Sequence, residues 1–136
     1  MADLIAQLIE EIGPGHMAST AYDTAWAARL GEIDWNISSQ ALAWLAENQL
    51  ADGSWGAPAP LYYHDRVICT LAAMIALSVR GRRGHDKAQI ERGKLALERV
   101  VGGATQGLMA DPNGATVGFE MIAPTLAAEA EKLGII

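Results

Sequence analysis

The sequence predicts an all-α fold, and three observations support that prediction. Ala, Leu, Ile, Glu and Gln dominate a composition that is 51% apolar, 19% charged and only 6% aromatic. The β-branched and aromatic runs that build strands are scarce. Apolar residues recur instead at helical spacing, and stretches containing Gly and Pro separate the segments that show it. At 136 residues the chain has the length of one domain.

The first two helices are predicted from their apolar spacing and from the residues that bound them. The first runs from Asp3 to Ile12 with its apolar residues on one face, and the Gly-Pro-Gly sequence of residues 13–15 ends it. Ser19 or Thr20 supplies the side-chain oxygen that caps the second helix, and Gly31 lies just beyond its end.

The next two helices are predicted on either side of a glycine-containing turn. Ser38 or Ser39 is the expected cap of the third helix, which ends at the NQLADGSWG sequence of residues 48–56. A rigid Ala-Pro-Ala-Pro connector, residues 57–60, leads into a fourth helix over residues 61–79. Because that segment is apolar almost all round, we expect it to be central and buried.

The last two helices are predicted with less regular connections. A basic loop, residues 80–85, precedes a fifth helix over residues 86–101, whose first residue, an aspartate, acts as its cap. A glycine-rich connection, residues 102–114, follows it. The sixth helical segment covers residues 115–133, with Pro124 marking a kink or a restart.

The composition also excludes several classes of function. A net charge of −6 argues against general attraction to nucleic acid or to an anionic membrane, because both require a basic surface. The longest apolar run, residues 67–79, is too short to span a bilayer, and the acidic amino-terminal sequence does not resemble an export signal. The single cysteine, Cys69, lies in that apolar run and cannot form an internal disulfide, so we expect a reducing, cytoplasmic setting.

Two apolar features predict that another surface covers part of this chain. The fourth helix is apolar on every face, and the chain ends in the apolar residues 133–136. Exposed apolar surface of this kind is typical of an interface. We therefore expect a partner domain, in the same polypeptide or in another, and self-association where that partner is absent.

The turn at residues 48–56 has a composition that an ordinary connection does not need. Asp52 and Gly53 form a tight turn with a positive backbone dihedral angle, and the indole of Trp55 can pack over a helix. The amide of Gln49 can satisfy backbone groups at a helix end. A structural clamp is favoured over contact with a ligand.

This pattern resembles the QW motif of the terpene cyclase α-barrel domains. Three further segments occur with it: STAYDTAW at residues 19–26, HDRVICTLAAMIAL at residues 64–77, and ATVGFE at residues 115–120 followed by Pro124. In this order they resemble the amino-terminal region of bacterial class II diterpene cyclases, most closely those of the halimadienyl (tuberculosinol-type) diphosphate synthase group. The similarity covers nearly the whole chain.

The resemblance implies a fold and an activity. Enzymes of this family protonate the terminal double bond of geranylgeranyl diphosphate and form a bicyclic diphosphate in a pocket between two α-barrel domains, β and γ. It implies that residues 1–15 form a helix at the edge of the β domain and that residues 16–136 form part of the γ domain. It also implies Mg²⁺ at the substrate diphosphate.

The sequence departs from this family at the catalytic acid. Neither the DXDD motif that carries the acid in the β domain nor a DDXXD cluster occurs here. We therefore expect the chain to be inactive alone and to act as a portion or subunit that joins a β domain carrying DXDD. The alternative is a non-catalytic helical module that binds a prenyl chain or a partner subunit.

The family signature at residues 19–26 contains one candidate acid. Asp23 is either a proton donor whose pKa burial raises, or a first-turn residue favoured by the helix dipole. Tyr22 and Trp26 flank it as structural members of the signature. The structural interpretation of Asp23 is favoured, because an acid that protonates an alkene needs a neighbouring carboxylate and none is near in sequence.

Two other places are candidates for a pocket or an interface. His64, Asp65 and Arg66 form either a ligand cluster or a helix cap with an ion pair, and the cap with an ion pair is favoured. Glu120, in the ATVGFE segment, is a candidate for a polar network near the domain interface. His16 and His85 lack a partner at metal-ligand spacing, so we predict no metal site. Because the DXDD motif is absent, we also predict no catalytic residue in this chain.

Overall fold

A computed structural model describes residues 2–12, 20–58, 62–81, 84–110 and 118–136. These residues contain six helices and no strand, so the all-α prediction is confirmed. The helices are α1 (Ala2–Ile12), α2 (Ala21–Ala28), α3 (Trp35–Glu47), α4 (Tyr63–Arg80), α5 (Gly84–Ala110) and α6 (Phe119–Lys132).

Helix α4 is the centre of the fold, as its composition predicts. Every residue from Arg66 to Leu77 is buried. The helix packs against α2, α5 and α6 and, over a shorter length, against α3. A helix that is apolar all round has to be enclosed in this way if it is to leave water. Within the part of the chain that the structure describes, no helix is both long and apolar enough to cross a membrane.

Helix α1 has the opposite character. It is amphipathic, as predicted, but its apolar side chains are about half exposed: Leu4 57%, Ile5 54%, Leu8 49% and Ile9 63%. The predicted stop at residues 13–15 lies outside the described residues. The apolar face of α1 is thus not covered by the described part of the chain, in contrast with the buried helix α4.

The predicted cap of α2 is confirmed, whereas that of α3 is wrong. The hydroxyl oxygen of Thr20 accepts a hydrogen bond from the amide of Asp23. Helix α3 begins earlier than predicted, because the carboxylate of Asp34 accepts from the amide of Ile37 at 3.1 Å. Ser38, a predicted cap, is buried inside α3 and donates to the carbonyl of Ala28. The other predicted cap, Ser19, lies outside the described residues.

The boundaries of the last two helices also differ from the prediction. Helix α5 starts at Gly84, which places Asp86 in its first turn, and it continues to Ala110 instead of ending at residue 101. Glycine inside a helix costs about 1 kcal/mol, a weak penalty that packing can override. Helix α6 starts at Phe119, after Gly118 in a left-handed conformation (φ 77°), and the predicted start at residue 115 lies outside the described residues. Residues 59–61, 82–83 and 111–117, on which parts of the predicted connections fall, lie outside the described residues.

The end of α6 forms a compact cap. The amide of Gly134 (φ 71°) donates to the carbonyl of Glu131, and the amide of Ile135 donates to the carbonyl of Ala130, both at 2.9 Å. This is the Schellman arrangement, in which a left-handed residue satisfies the last carbonyls of a helix. Ile135 is buried, so the apolar segment at residues 133–136 is only partly exposed.

Candidate functional site

The described residues of the four motif segments converge around the amino end of α4. One cleft of about 420 Å³, which we call the Asp65 cleft, lies there. It is lined by Thr20, by residues of the turn at 48–56 and of the connector that follows it, and by Asp65. The fourth segment reaches the same end of α4 from α6. The ring of Phe119 meets the ring of His64 edge to face, with 4.7 Å between their centres. Motifs that are far apart in sequence therefore form one region in the fold.

Three side chains close the carboxyl end of α3. The last carbonyl groups of a helix have no partner within the helix and need one from elsewhere. The carbonyl of Trp44 accepts from the backbone amide of Asn48 at 3.0 Å and from the side-chain amide of the same residue at 2.8 Å. The next two accept from Trp55 and Gln89: the indole N–H donates to Leu45 at 2.8 Å and the glutamine amide to Ala46 at 2.9 Å.

Gln49 joins the turn to α5. Its amide nitrogen donates to the carbonyl of Gly53 at 2.8 Å and to the carbonyl of Gln89 at 2.9 Å. Gly53 has a φ of 93°, and a Cβ atom added to it would lie 2.5 Å from the carbonyl oxygen of Arg92. The turn therefore requires glycine both for its backbone angle and for its close approach to α5.

Trp55 anchors the turn in the core. Its exposed fraction is 0%, and its backbone amide donates to the hydroxyl of Thr70 on α4 at 3.1 Å. With the indole bonded to Leu45, both nitrogens of this residue are satisfied inside the protein. A buried tryptophan needs such partners, because an unpaired N–H away from water is costly.

Arg66 holds the turn against α4. The buried guanidinium donates to the hydroxyl of Ser54 at 2.8 Å, to the carboxylate of Asp52 at 3.2 Å and to the carbonyl of Ala57 at 3.0 Å. The expected ion pair is thus formed with Asp52 and not with the adjacent Asp65, since Arg66 reaches back to the turn. Because its donors are directed at protein oxygens, this arginine is committed to the fold and is not positioned for a phosphate.

The environment of Asp52 favours its charged form. Burial alone would raise the pKa of Asp52, but the hydroxyl and the amide of Ser54 donate to its carboxylate at 2.6 and 2.9 Å. The positive charges of Arg66 and Arg99 act in the same direction as these hydrogen bonds. The pKa of Asp52 consequently lies below its ordinary value.

Asp65 and Cys69 meet at the wall of the Asp65 cleft. The carboxylate of Asp65 accepts from the amide of Ala57 at 3.1 Å and from the thiol of Cys69 at 3.4 Å. Burial, and then the nearby Asp65 carboxylate, raise the pKa of Cys69 to about 12. The thiol therefore stays protonated at neutral pH, and it lacks the thiolate that a nucleophile requires.

Tyr22, Asp23 and Trp26 lie on α2. The exposed Asp23 carboxylate accepts from the hydroxyl of Thr20 at 2.7 Å, as a first-turn residue next to a cap does. The rings of Tyr22 and Trp26 meet edge to face at 6.4 Å, and the guanidinium of Arg29 lies 4.6 Å from the centre of the Trp26 ring. Arg29 also forms an ion pair with Glu129 and so ties α2 to α6.

The remaining candidates lie where α4 meets α6. His64 is buried, and its Nε2 atom has no hydrogen-bond partner in the described part of the chain. Glu120 is exposed in the first turn of α6, next to Phe119. No group of three His, Cys, Asp or Glu side chains in the described ranges is arranged to hold a metal ion.

Sequence reasoning missed several residues of this region. It identified Gln49 and Trp55 but not Gln89, which reaches across from α5 to the end of α3. Gln89 is one of several polar residues on its helix, and nothing in its local sequence distinguishes it. Ser54 lies within the NQLADGSWG sequence, yet its role as acceptor for Arg66 depends on a contact between positions 12 residues apart.

The fold matches the helical domains of terpene cyclases. Abietadiene synthase from Abies grandis superposes with a TM-score of 0.71 at 31% identity, over 98% of this chain and 18% of that one. A crystal structure of ent-copalyl diphosphate synthase from Arabidopsis thaliana, in complex with (S)-15-aza-14,15-dihydrogeranylgeranyl thiolodiphosphate, gives 0.70 at 35% identity, over 90% and 17% of the two chains. No protein-family model matches the chain.

The sequence comparison narrows this class to diterpene cyclases. The chain is 55% identical over 119 residues to the type B diterpene cyclase of Mycobacterium tuberculosis, which covers 88% of this chain and 24% of that protein. The chain is thus homologous to a segment of the diterpene cyclases and copalyl diphosphate synthases, as the motif resemblance predicted. It spans about a quarter of the bacterial relative and under a fifth of each solved chain.

Proposed function

We propose that this chain forms one wall of the substrate pocket of a class II diterpene cyclase. In this proposal the substrate is geranylgeranyl diphosphate, and a β domain carrying the DXDD acid supplies the proton that starts cyclisation to a bicyclic diphosphate. The chain itself provides scaffold and not chemistry. The observation that carries the proposal is the 55% identity to a bacterial diterpene cyclase over 88% of the chain.

The geometry supports a scaffold role for the QW turn, which is the turn at residues 48–56. Side chains of the turn and of α5 satisfy the end of α3, and Arg66 is fully engaged with Ser54, Asp52 and Ala57. Groups that are already satisfied by the protein gain nothing from a ligand, so they stabilise a wall instead of reacting. The thiol of Cys69, with its pKa of about 12, does not act as a nucleophile at neutral pH.

The position of the chain in the whole enzyme is part of the same proposal. Residues 1–15 would belong to the edge of the β domain, which would cover the exposed apolar face of α1, and residues 16–136 would belong to the γ domain. The single cysteine, Cys69, is buried and free, which favours a reducing, cytoplasmic setting for the enzyme.

Magnesium enters this proposal only through the substrate. The described residues bring together no set of three His, Cys, Asp or Glu ligands, so they do not fit a magnesium site of their own. Mg²⁺ generally binds through one or two carboxylates together with substrate phosphate oxygens. An ion at the diphosphate would therefore take its ligands from the diphosphate itself and from at most one or two protein carboxylates.

A complementation experiment tests the proposal. Geranylgeranyl diphosphate is incubated with this chain, with the polypeptide that carries the DXDD motif, and with both, and the products are dephosphorylated and identified by mass spectrometry. We expect a bicyclic product only from the mixture. Turnover by this chain alone would contradict the proposal, as would equal turnover by the DXDD polypeptide with and without it.

The alternative of a non-catalytic binding module predicts a different result. In that case the mixture shows no gain in turnover, while this chain alone retains the prenyl diphosphate in equilibrium dialysis. A heat-denatured sample of the chain serves as the control in both measurements, because it has the same composition without the fold.

A further inference from the structure

The proposed cyclase function assigns no ligand to the Asp65 cleft, but the lining of this cleft selects one chemistry. Its volume of about 420 Å³ lies within the range of about 300–1,000 Å³ that sites for drug-sized ligands span. Most of its wall is apolar and is formed by Trp44, Leu50, Ala57 and Pro58. Asp65 is the one charged residue among the described residues that line it, and its side chain is partly exposed.

The carboxylate of Asp65 forms no ion pair with any described residue. Its Oδ2 atom accepts from the amide of Ala57 at 3.1 Å, and its Oδ1 atom accepts from the thiol of Cys69 at 3.4 Å. A carboxylate has about four acceptor sites and a thiol is a weak donor, so acceptor capacity remains on this group. Because both present partners are neutral, an incoming cation would add a stronger, charge-assisted bond.

The side-chain donors that line the cleft are largely engaged already. The hydroxyl of Thr20 donates to Asp23 at 2.7 Å, and the thiol of Cys69 donates to Asp65. One N–H of the Asn48 side chain is used by a carbonyl of α3. The lining therefore offers mainly oxygen acceptors, and it suits a ligand that brings its own hydrogen-bond donors.

The charges around the cleft do not cancel that of Asp65. Asp23, in the first turn of α2, adds a second negative charge nearby. Arg66 follows Asp65 in the chain, but its guanidinium is paired with Asp52 at 3.2 Å. Arg99 donates to the backbone carbonyl of Asp52 and brings the only other positive charge to that residue. Three carboxylates thus face two guanidinium groups, so the surroundings keep a net negative charge.

This balance argues against an anionic ligand. A phosphate or carboxylate in the cleft would be repelled by Asp65, and the net charge of −6 on the whole chain acts in the same direction. Residues 13–19 and 59–61, which adjoin lining residues in the sequence, contain no lysine or arginine that could reverse the sign.

An organic cation fits the lining better than a metal ion does. In the part of the chain that the structure describes, no three His, Cys, Asp or Glu side chains are arranged to hold a metal. The apolar wall cannot replace the water that a metal ion would lose, whereas it suits an alkyl or aromatic body. Trp44 also has the ring type that attracts ammonium groups most strongly.

We propose that the Asp65 cleft binds a small organic ammonium ion, whose charged group pairs with Asp65 while its apolar body packs against Trp44, Leu50 and Pro58. The proposal goes beyond the proposed cyclase function, because it concerns a ligand of this chain alone and involves neither a diphosphate nor the DXDD acid. A free amine and the lysine side chain of a polypeptide share this chemistry, and the probes below separate the two sources.

Matched probes test the charge and the apolar body separately. Phenethylammonium carries both, phenylethanol has a neutral hydroxyl instead, phenylpropanoate has a carboxylate, and ethylammonium lacks the ring. The buffer is sodium phosphate, because Tris is itself a primary ammonium. Titrations followed by ¹H–¹⁵N NMR should show saturable shifts of the Trp44 indole and the Ala57 amide with phenethylammonium. Phenylethanol and ethylammonium should each bind about tenfold more weakly, and phenylpropanoate should not saturate.

A second pair of probes distinguishes the sources of the ammonium group. Butylammonium reproduces the side chain of lysine, and N-acetyl-lysinamide adds the neutral backbone groups of a polypeptide. Tighter binding of N-acetyl-lysinamide assigns the cleft to a lysine side chain, and tighter binding of butylammonium assigns it to a free amine. Either result supports the ammonium site, whereas the absence of saturable shifts with both probes and with phenethylammonium contradicts it.

Two variants separate the carboxylate of the cleft from the general charge of the chain. Asp65→Asn keeps the shape and an acceptor for Ala57, and it should weaken the binding of phenethylammonium by about tenfold while leaving phenylethanol within about twofold. Glu47→Gln removes an exposed carboxylate that does not line the cleft, and it should leave both probes within about twofold. Far-UV circular dichroism checks that both variants fold.

Salt dependence provides a test that needs no variant. Raising NaCl from about 0.02 M to about 0.5 M should weaken the binding of phenethylammonium several-fold and leave phenylethanol unchanged, because salt screens charge pairs only. The proposal would be overturned by binding of phenylethanol or phenylpropanoate as tight as that of phenethylammonium, by equal effects of the two variants, or by salt dependence that is the same for both probes. None of these results bears on turnover in the complementation experiment, which contains no amine.

Discussion

The tryptophans at the two ends of α3 differ in burial and hydrogen bonding: Trp55 packs against the carboxyl end of the helix, and Trp35 is its first residue. At the carboxyl end Trp55 is fully buried and both of its nitrogens have partners, while Trp44, Leu45 and Ala46 have their carbonyls capped by side chains. At the amino end Trp35 is 58% exposed beside a guanidinium that makes no hydrogen bond in the described residues. The first end is suited to stabilise the fold, and the second leaves much of an indole exposed to solvent.

The largest expected effect is the loss of the buried tryptophan. Trp55→Ala should lower the free energy of unfolding by about 3–5 kcal/mol, because it leaves a cavity and removes the donor to Leu45. Trp35→Ala should lower it by less than about 1 kcal/mol, since exposed positions contribute little. Urea unfolding followed by far-UV circular dichroism measures both, and equal losses would remove the contrast between the two ends.

A smaller loss is expected at Arg66. Arg66→Met keeps much of the side-chain volume but leaves Ser54 and the carbonyl of Ala57 without their donor, so the free energy of unfolding should fall by about 2–3 kcal/mol. Arg80→Met should have an effect below about 1 kcal/mol, because Arg80 has no comparable bonds in the described residues. If Arg80→Met were the more damaging change in urea unfolding, our description of its surroundings would be wrong.

The glycine of the turn should give an effect of similar or slightly smaller size. Gly53→Ala forces a side chain onto a φ of 93° and places its Cβ 2.5 Å from a carbonyl oxygen of α5. We expect a loss of about 2 kcal/mol in thermal or urea unfolding. Gly84→Ala is the matched control, since an added Cβ there meets nothing within 4 Å and the residue is helical. A neutral Gly53→Ala would show that the turn can shift away from α5.

The smallest effect is a dependence of stability on pH. Because the pKa of Asp52 is lower in the folded chain, its charged form contributes stability that is fully present above the unfolded value of about 3.9 and is lost as the pH falls through the folded value. The side chain is 47% exposed, so solvent screening should keep the contribution below about 1 kcal/mol. Asp52→Asn should therefore flatten the fall in stability in the acid range, and an unchanged profile would exclude Asp52 as its source.

Local sequence was sufficient for most of the fold. The apolar periodicity located all six described helices, and the composition of residues 61–79 identified the central one. The errors occur at helix ends, where the residue that caps the helix depends on a tertiary contact that the sequence does not show. Asp34 caps α3 in place of Ser38, whose hydroxyl is used by the carbonyl of Ala28 on α2.

The sequence predicted the motif residues of the site but not the contacts that those residues make. The resemblance located Gln49, Asp52, Gly53 and Trp55, but it did not give the partner of Arg66, because that depends on how the turn folds back over α4. A cleft of about 280 Å³ that is lined by Trp35, Leu42 and Arg80 was also missed. It forms between α3 and the junction of α4 with α5, and exposed apolar residues in that stretch have no pattern that separates a cleft from ordinary surface.

The capping of α3 has a consequence for the order of folding. Its three capped carbonyls accept from side chains that are 4, 10 and 43 residues further along the chain. The bond to the carbonyl of Ala46 therefore cannot form until α5 has docked against α3. Amide hydrogen exchange of the turn should then report on the docking of α5, and the two segments should open and close as one kinetic unit.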